Sequence, residues 1–228
     1  GICSVITGVF ILLIFLVIIP AIIQSIVNSS DLTLVSSEIS SLSNTSFSCS
    51  TTTTFSKING PAVKFQLHNA DISWDQESST TMISLSKSNT LTVRNDHDGT
   101  MNTQATVDDS EAFANFNEYL MHSESATWKL SGTAYVTYIV KAKVNLDKTL
   151  VLQGYNNFSI PPIIQSTNLT NGTHTTLYAV TSVTVTSQSN VQFNLGQNMY
   201  YHIYYLGEQI GIGYIPNYSI YPGATTQD

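Results

Sequence analysis

Two hydrophobic periodicities divide this chain. From Ile2 to Val27 apolar residues run almost unbroken, and the first charged side chain is Asp31. At 1.5 Å per residue, residues 5–26 make a helix roughly 33 Å long, enough to cross a hydrocarbon core of about 30 Å. Val5, Phe10, Leu13, Phe15, Ile19 and Ile23 are the expected membrane-spanning residues. Pro20 lacks an N–H and crowds the preceding turn, so a bend is expected over residues 16–20. The run lacks the basic start and small-residue cleavage site of a signal peptide, which makes it a retained anchor. Because Gly1 is not an initiator Met, the numbering is expected to begin inside a longer precursor or at a processed end.

Beyond residue 30 the pattern turns to a period of two. The even positions from Trp128 to Leu146 read Trp, Leu, Gly, Ala, Val, Tyr, Val, Ala, Val and Leu, against mostly Lys, Ser, Thr and Asn at odd positions. That alternation marks strand with one buried face. The run is long for a single strand, so a bend or bulge is expected inside it, with Gly132 the candidate. Further strands are read at 63–67, 72–74, 81–85, 90–94, 177–186, 191–195, 199–206 and 210–215, the last two joined by a turn at Leu206-Gly207. One stretch, 110–122, has helical spacing through Phe113, Phe116 and Leu120, with Asp108 and Glu111 forming a capping-box-like start. The organisation is then a membrane helix over 1–30, a β-rich half over 31–125 that ends in the helix near 110–122, and a second β half over 126–228. Many short strands with polar turns point to a mainly β chain of one or two antiparallel sandwiches with one short amphipathic helix.

Composition narrows the partners. Eight basic against fifteen acidic residues give a net charge of −7, which excludes a nucleic-acid-binding face and a polybasic lipid patch. Cys3 and Cys49 fall on opposite sides of the anchor, so no disulfide framework is present. Cys49 reads as an apolar strand position, and Cys3 as a candidate for acylation near the interface. Sequons at Asn44, Asn157, Asn168, Asn171 and Asn217 are N-glycosylation candidates, while Asn28 lies too near the bilayer. Asn168 and Asn171 read as a loop. N-glycans, and a bilayer or like subunits through the helix, are the partners implied, with the protein partner open. The region after the anchor is placed outside the cell or in a vacuolar or lysosomal lumen.

Catalytic chemistry is not visible. The five histidines are scattered without metal-ligand spacing, and Asp96-His97-Asp98 before Gly99 has the composition of a turn. No nucleophile elbow occurs, and Gly211-Ile212-Gly213 lacks a dinucleotide fingerprint. A non-enzymatic protein without metal or cofactor is expected. Tyr200, Tyr201, Tyr204 and Tyr205 occupy both faces of one strand, which makes them either core or an interaction surface.

Certain segments carry a resemblance. Ile19-Pro-Ala-Ile-Ile-Gln-Ser-Ile-Val-Asn28, with Leu32-Thr-Leu34 close behind, resembles the anchor junction of a fungal membrane-protein family related to the group-two late embryogenesis abundant (water-stress and hypersensitive response) domain. The segment 146–158 is similar to that family's strand-then-glycine element. So are 182–196, where Gln188-Ser189-Asn190 stands in place of Asn-Pro-Ser, then 207–213 and Tyr221-Pro222-Gly223. The resemblance implies an anchored, tandem or single, immunoglobulin-like or fibronectin-like sandwich with no catalytic residues to transfer. It implies roles in lipid contact, membrane contact or signalling.

Three functions follow. The leading one is a single-pass membrane glycoprotein whose exported β region mediates surface interaction or assembly. A second is a filament subunit with the apolar helix in the core. A third, lipid binding or transfer, requires a continuous apolar channel between sheets.

Overall fold

The computed structural model describes residues 14–43, 45–58, 60–74, 80–170, 172–173, 176, 178–194 and 198–227. A π-helical turn, Ile14–Ile18, leads into helix α1, Ile19–Ser29. Pro20 lies in the first turn of α1, where a missing N–H is tolerated, but it leaves the Leu16 carbonyl without its α-helical donor. The wider turn overlaps residues 16–20, where a bend is expected, only at 16–18.

Among the described residues fifteen strands follow: β1 (Asp31–Ser40), β2 (Ser46–Ser56), β3 (Val63–Trp74), β4 (Ile83–Leu85), β5 (Leu91–Val93), β6 (His97–Val107), β7 (Ser125–Thr137), β8 (Lys141–Gln153), β9 (Ile163–Thr170), β10 (Tyr178–Ser187), β11 (Val191–Asn194), β12 (Met199–Tyr205), β13 (Glu208–Ile215), β14 (Ser219–Ile220) and β15 (Gly223–Gln227). Helix α2, Ser110–His122, separates β6 from β7. The chain is mainly β, and among the described residues its ladders are antiparallel apart from the parallel pair β1–β11. One large sheet runs β14-β11-β1-β2-β6-β4-β3-β7-β8, with β5 beside β3. It curls until β1 lies against β8. Two smaller sheets, β15-β10-β9 and β12-β13, complete the fold.

The alternating run around residue 138 is two strands rather than one bent strand. β7 and β8 pair from Ser125↔Gln153 to Thr137↔Lys141 across a turn of Tyr138, Ile139 and Val140. A three-residue connection preserves parity, so even positions face inward on both sides and the pattern passes through the turn unbroken. Gly132 has a different task. It pairs with Ala70 next to the register shift between Leu67 and Asn69 of β3, and a Cβ there would lie 2.3 Å from the Asn69 carbonyl oxygen.

Helix α2 caps one end of the core. Its N-cap is Asp109, not Asp108: Asp109 Oδ1 accepts from the N–H groups of Glu111 (3.1 Å) and Ala112 (3.0 Å). Asp108 instead accepts from the Ser84 hydroxyl. Phe116 is buried against Trp74 and Trp128, with ring centroids 5.8 and 5.7 Å away, and Phe113 stacks on Phe47.

Among the described residues no helix is long and apolar enough to cross a membrane. Val5, Phe10 and Leu13 lie outside the described residues. Phe15 is exposed in the π turn, but Ile19 is half-buried and Ile23 is only 7% exposed, packed on the β core rather than facing lipid. The reason is one-sidedness: Ile19, Ile22, Ile23, Ile26 and Val27 recur at helical spacing along one stripe, while Ser25, Asn28 and Ser29 are exposed. Gln24 fixes the orientation by exchanging two hydrogen bonds with the Asn145 backbone of β8, at 2.9 and 2.7 Å.

Candidate functional site

The inward faces of the large sheet do not close on one another completely. They leave an apolar cavity of about 340 Å³. Phe55 of β2, Phe65 and Leu67 of β3, Met101 of β6, Leu130 and Val136 of β7, and Leu146 and Leu150 of β8 contribute to its wall. The stripe of α1 forms the remaining side. On β7 the lining runs from Trp128 to Val136, roughly 26 Å of strand at 3.3 Å per residue, so the space is elongated. Its rim includes Ile22 of α1, Pro61, and Tyr138 and Ile139 of the β7–β8 turn, all exposed. The exposed Phe15, Leu16, Val17 and Ile18 precede α1 on the same chain.

Polar groups are few in this wall. Cys49 is buried on β2, where the alternation demanded an apolar residue, and its Sγ lies 3.2 Å from Thr51 Oγ1 and 3.5 Å from Ser37 Oγ. Lys148 is the one charged residue among the described lining positions. Its ammonium donates to the carbonyls of Asn28 and Ser30 at the end of α1. Burial pushes its pKa below the ordinary value, with Asp31 and Asp147 opposing. Trp128 is 4% exposed, and its indole Nε1 has no hydrogen-bond partner among the described residues.

The tyrosines form a separate feature. Tyr200, Tyr201, Tyr204 and Tyr205 lie on β12, which among the described residues pairs only with β13. Tyr200 is 68% and Leu206 at the turn 88% exposed, so this strand is not core. Tyr201 lies across from Gly213, where a Cβ would meet its ring at 2.3 Å, so the glycine makes room for the aromatic ring.

Of the sequons, Asn44 and Asn171 lie outside the described residues. Asn168 sits within β9, paired with Val180, not in the loop expected of it. Asn157 and Asn217 are exposed in turns with positive φ of 54° and 49°. The Asn157 side chain bonds to His122, so a glycan there would compete with that contact. Among the described residues no cluster of His, Cys, Asp or Glu could hold a metal ion.

Sequence reasoning missed Lys148, Trp128 and the α1 stripe as parts of one site. The signal for Lys148 was available: the inward alternation of β8 continues past Leu146 through Lys148, Leu150 and Leu152. A second omission is the buried linker Ser189-Asn190. Asn190 Oδ1 accepts from Gln153 N–H at 2.8 Å, its Nδ2 donates to the Leu34 carbonyl at 3.3 Å, and Ser189 Oγ donates to the Gln153 carbonyl at 2.6 Å. These two residues hold β11 onto the main sheet.

No curated protein matches the chain. A solved structure titled "Crystal Structure of the Periplasmic Chaperone SfaE" aligns over 88% of this chain and 86% of that chain, at 8% identity and a TM-score of 0.24, too slight a similarity to bear on fold or role. Residues 80–199, more than half of the chain, match the family described as "Protein of unknown function (DUF3712)", from just before β4 to the first residue of β12, and the chain belongs to that family.

Proposed function

We propose that this protein is a non-enzymatic, membrane-anchored β protein that binds one acyl chain in the cavity between its sheet and α1. The carrying observation is the elongated apolar cavity, whose wall includes a single charged residue among the described lining positions. A volume of about 340 Å³ lies within the usual span of ligand sites, roughly 300–1,000 Å³. The apolar rim supports the same reading, because Ile22, Tyr138 and Ile139 stay exposed where an incoming chain would pass. In this reading the apolar segment before α1 holds the mouth at the bilayer, and the β region is an N-glycosylated sandwich of immunoglobulin or fibronectin type on the non-cytosolic side. The fungal anchored, late-embryogenesis-abundant-related resemblance fits that arrangement.

The test is to purify the whole chain in a detergent with a short head group, extract it with organic solvent and weigh the acyl material by mass spectrometry. About one acyl chain per protein is expected, together with displacement of a fluorescent fatty-acid analogue. Absence of both refutes the reading. A second reading, surface interaction or assembly, is favoured by the β12–β13 hairpin. A lone two-stranded hairpin is barely stable in water, and this one exposes Tyr200, Tyr204, Tyr205, Ile210, Ile212 and Tyr214.

A further inference from the structure

A net charge of −7 gives no sign of a basic patch in composition, but the fold sorts the charges along the strands. Asp108, Asp109, Glu111, Glu118 and Glu124 lie on or beside α2, at one end of the large sheet. At the opposite strand ends Lys64, Arg94, Lys141 and Lys143 are all exposed.

The register sets two of these lysines in one row. Lys64 of β3 lies opposite Thr92 of β5 and Thr137 of β7, and Thr137 lies opposite Lys141 of β8. Two strand spacings separate the lysines, about 10 Å. Between them the outer face sinks into a basin of about 440 Å³, walled also by Gln66 and Tyr135. The Lys141 ammonium sits 4.1 Å from the centre of the Tyr135 ring, which holds it over the basin. Hydroxyls, an amide and two ammonium groups line this space, and no carboxylate does among the described lining positions. The one ion pair among the described residues joins Lys57 to Asp31, so neither lysine is neutralised. Carboxylates on adjoining elements are turned to other partners. Asp98 accepts from the Thr54 hydroxyl and Asp96 from the Asn95 amide. Farther along β3 and β8, Asp71 accepts from the Ser84 hydroxyl and Asp147 acts on Lys148.

An apolar turn adjoins the basin. Thr137 ends β7 and Lys141 begins β8, and between them Tyr138 and Ile139 stand in solvent, Ile139 being 67% exposed. Helix α1 runs along β8 in the same direction, with Gln24 at Asn145 and the Asn28 carbonyl at Lys148. Its N-terminal end, with the exposed Ile18, therefore points toward this same turn. A bilayer interface matches both chemistries: apolar side chains are buried at the boundary of headgroups and acyl chains, while cations just behind them meet phosphate.

We propose that this end of the β domain docks on an anionic phospholipid surface, with Tyr138 and Ile139 entering the boundary and Lys64 and Lys141 holding headgroup phosphates over the threonine-lined basin. This rests on the reading that the mouth of the cavity faces a bilayer, and it names the lipid class faced; it needs no acyl chain in the cavity. The acidic α2 end is repelled by the same surface, which fixes the orientation of the domain.

The experiment places an environment-sensitive fluorophore at residue 139 of the whole chain, as Ile139→Cys in a Cys3→Ser background, Cys49 being buried. The protein is reconstituted with vesicles of phosphatidylcholine, alone or mixed with phosphatidylserine. Emission should shift to the blue, and be quenched by lipid-borne nitroxide, only where phosphatidylserine is present. Lys64→Gln combined with Lys141→Gln should lower the ratio of docked to free domains about thirtyfold. Lys64→Arg combined with Lys141→Arg should keep it. Added salt should release the probe, chloride and inorganic phosphate acting alike at equal ionic strength. Equal insertion into both kinds of vesicle, or insertion unchanged in the double Gln variant, overturns the anionic docking and leaves the mouth-to-bilayer reading standing. Insertion into neither overturns both. Release by phosphate but not by chloride makes the basin a small-anion site and overturns the docking.

Discussion

Tyr155→Phe removes one oxygen from a fully buried ring. Tyr155 is 1% exposed, its hydroxyl donates to the Val191 carbonyl at 2.7 Å, and its ring packs against Phe158 and Phe193 with centroids 5.3 and 6.1 Å away. Phenylalanine keeps both ring contacts, so the hydrophobic contribution barely changes and the loss is the hydrogen bond between the end of β8 and β11. A made bond contributes about 1 kcal/mol, and a buried acceptor left bare costs about 1–3 kcal/mol. The variant should therefore lose about 2 kcal/mol, a fall in Tm of roughly 4–8 °C for a chain of this size. Urea unfolding followed by circular dichroism reads this as a lower midpoint at unchanged slope. The same hydroxyl supplies a second readout. Burial pushes the Tyr155 phenol far above its ordinary 10.0, with Ser189 opposing. A raised folded-state pKa means that the folded protein holds this proton more tightly than the unfolded chain does. The associated stability is complete below pH 10 and is lost as pH rises from there toward the folded value. The wild type should thus weaken above about pH 10, and Tyr155→Phe should weaken less steeply, the remaining slope including Tyr218, whose pKa burial also raises. A variant within about 0.5 kcal/mol of wild type at neutral pH, or one with an unchanged alkaline slope, refutes the reasoning.

Two further outcomes test the packing that shapes the site. Asp109→Ala removes the acceptor for two N–H groups at the start of α2 and should cost about 1 kcal/mol by thermal unfolding, whereas Asp108→Ala should cost less; the reverse order overturns the cap assignment. Gly132→Ala places a methyl 2.3 Å from the Asn69 carbonyl and 2.5 Å from Ala70 Cα, both backbone, so the β3–β7 ladder must shift; a loss of about 2–3 kcal/mol in denaturant unfolding is expected, and a neutral substitution contradicts the close approach.

How far the sequence revealed this architecture depended on what filled the inward positions. The β7–β8 face, lined with Leu, Val, Ala and Trp, announced itself, and so did α2. By contrast β1, β2 and β6 went unread because their inward places include Ser37, Thr51, Thr53 and Thr103, all buried. These side chains partly satisfy one another, as Ser37 and Thr51 do at 3.4 Å, so their burial leaves no mark in hydropathy. The β7–β8 turn was hidden by parity, and the cavity by its nature: a hydrophobic pattern tells which faces turn inward but not whether they meet. Lys148 was legible in the pattern, as a charge on an apolar face. Its partners, the Asn28 and Ser30 carbonyls, were not legible, because they depend on where the end of α1 lies on β8.

The opening segment shows how an average over a window conceals direction. Mean hydropathy makes residues 5–26 one apolar rod, yet from Ala21 onward the helix is one-sided. Gln24, Asn28 and Ser29 sit opposite or beside the stripe that covers the cavity, and Gln24 is spent on the Asn145 backbone. A span lodged in lipid must satisfy polar side chains without water, whereas α1 meets that demand by lying on β8. If the anchor reading holds, the hydrocarbon boundary therefore falls near Ile18 rather than Val27, and α1 belongs to the β domain as the wall of its cavity. The exposed Phe15, Leu16, Val17 and Ile18 then enter the bilayer directly beside the rim formed by Ile22, Tyr138 and Ile139. A chain leaving the membrane there could pass along apolar side chains into the cavity, and the lysine that closes the end of α1 would be the first charge it met.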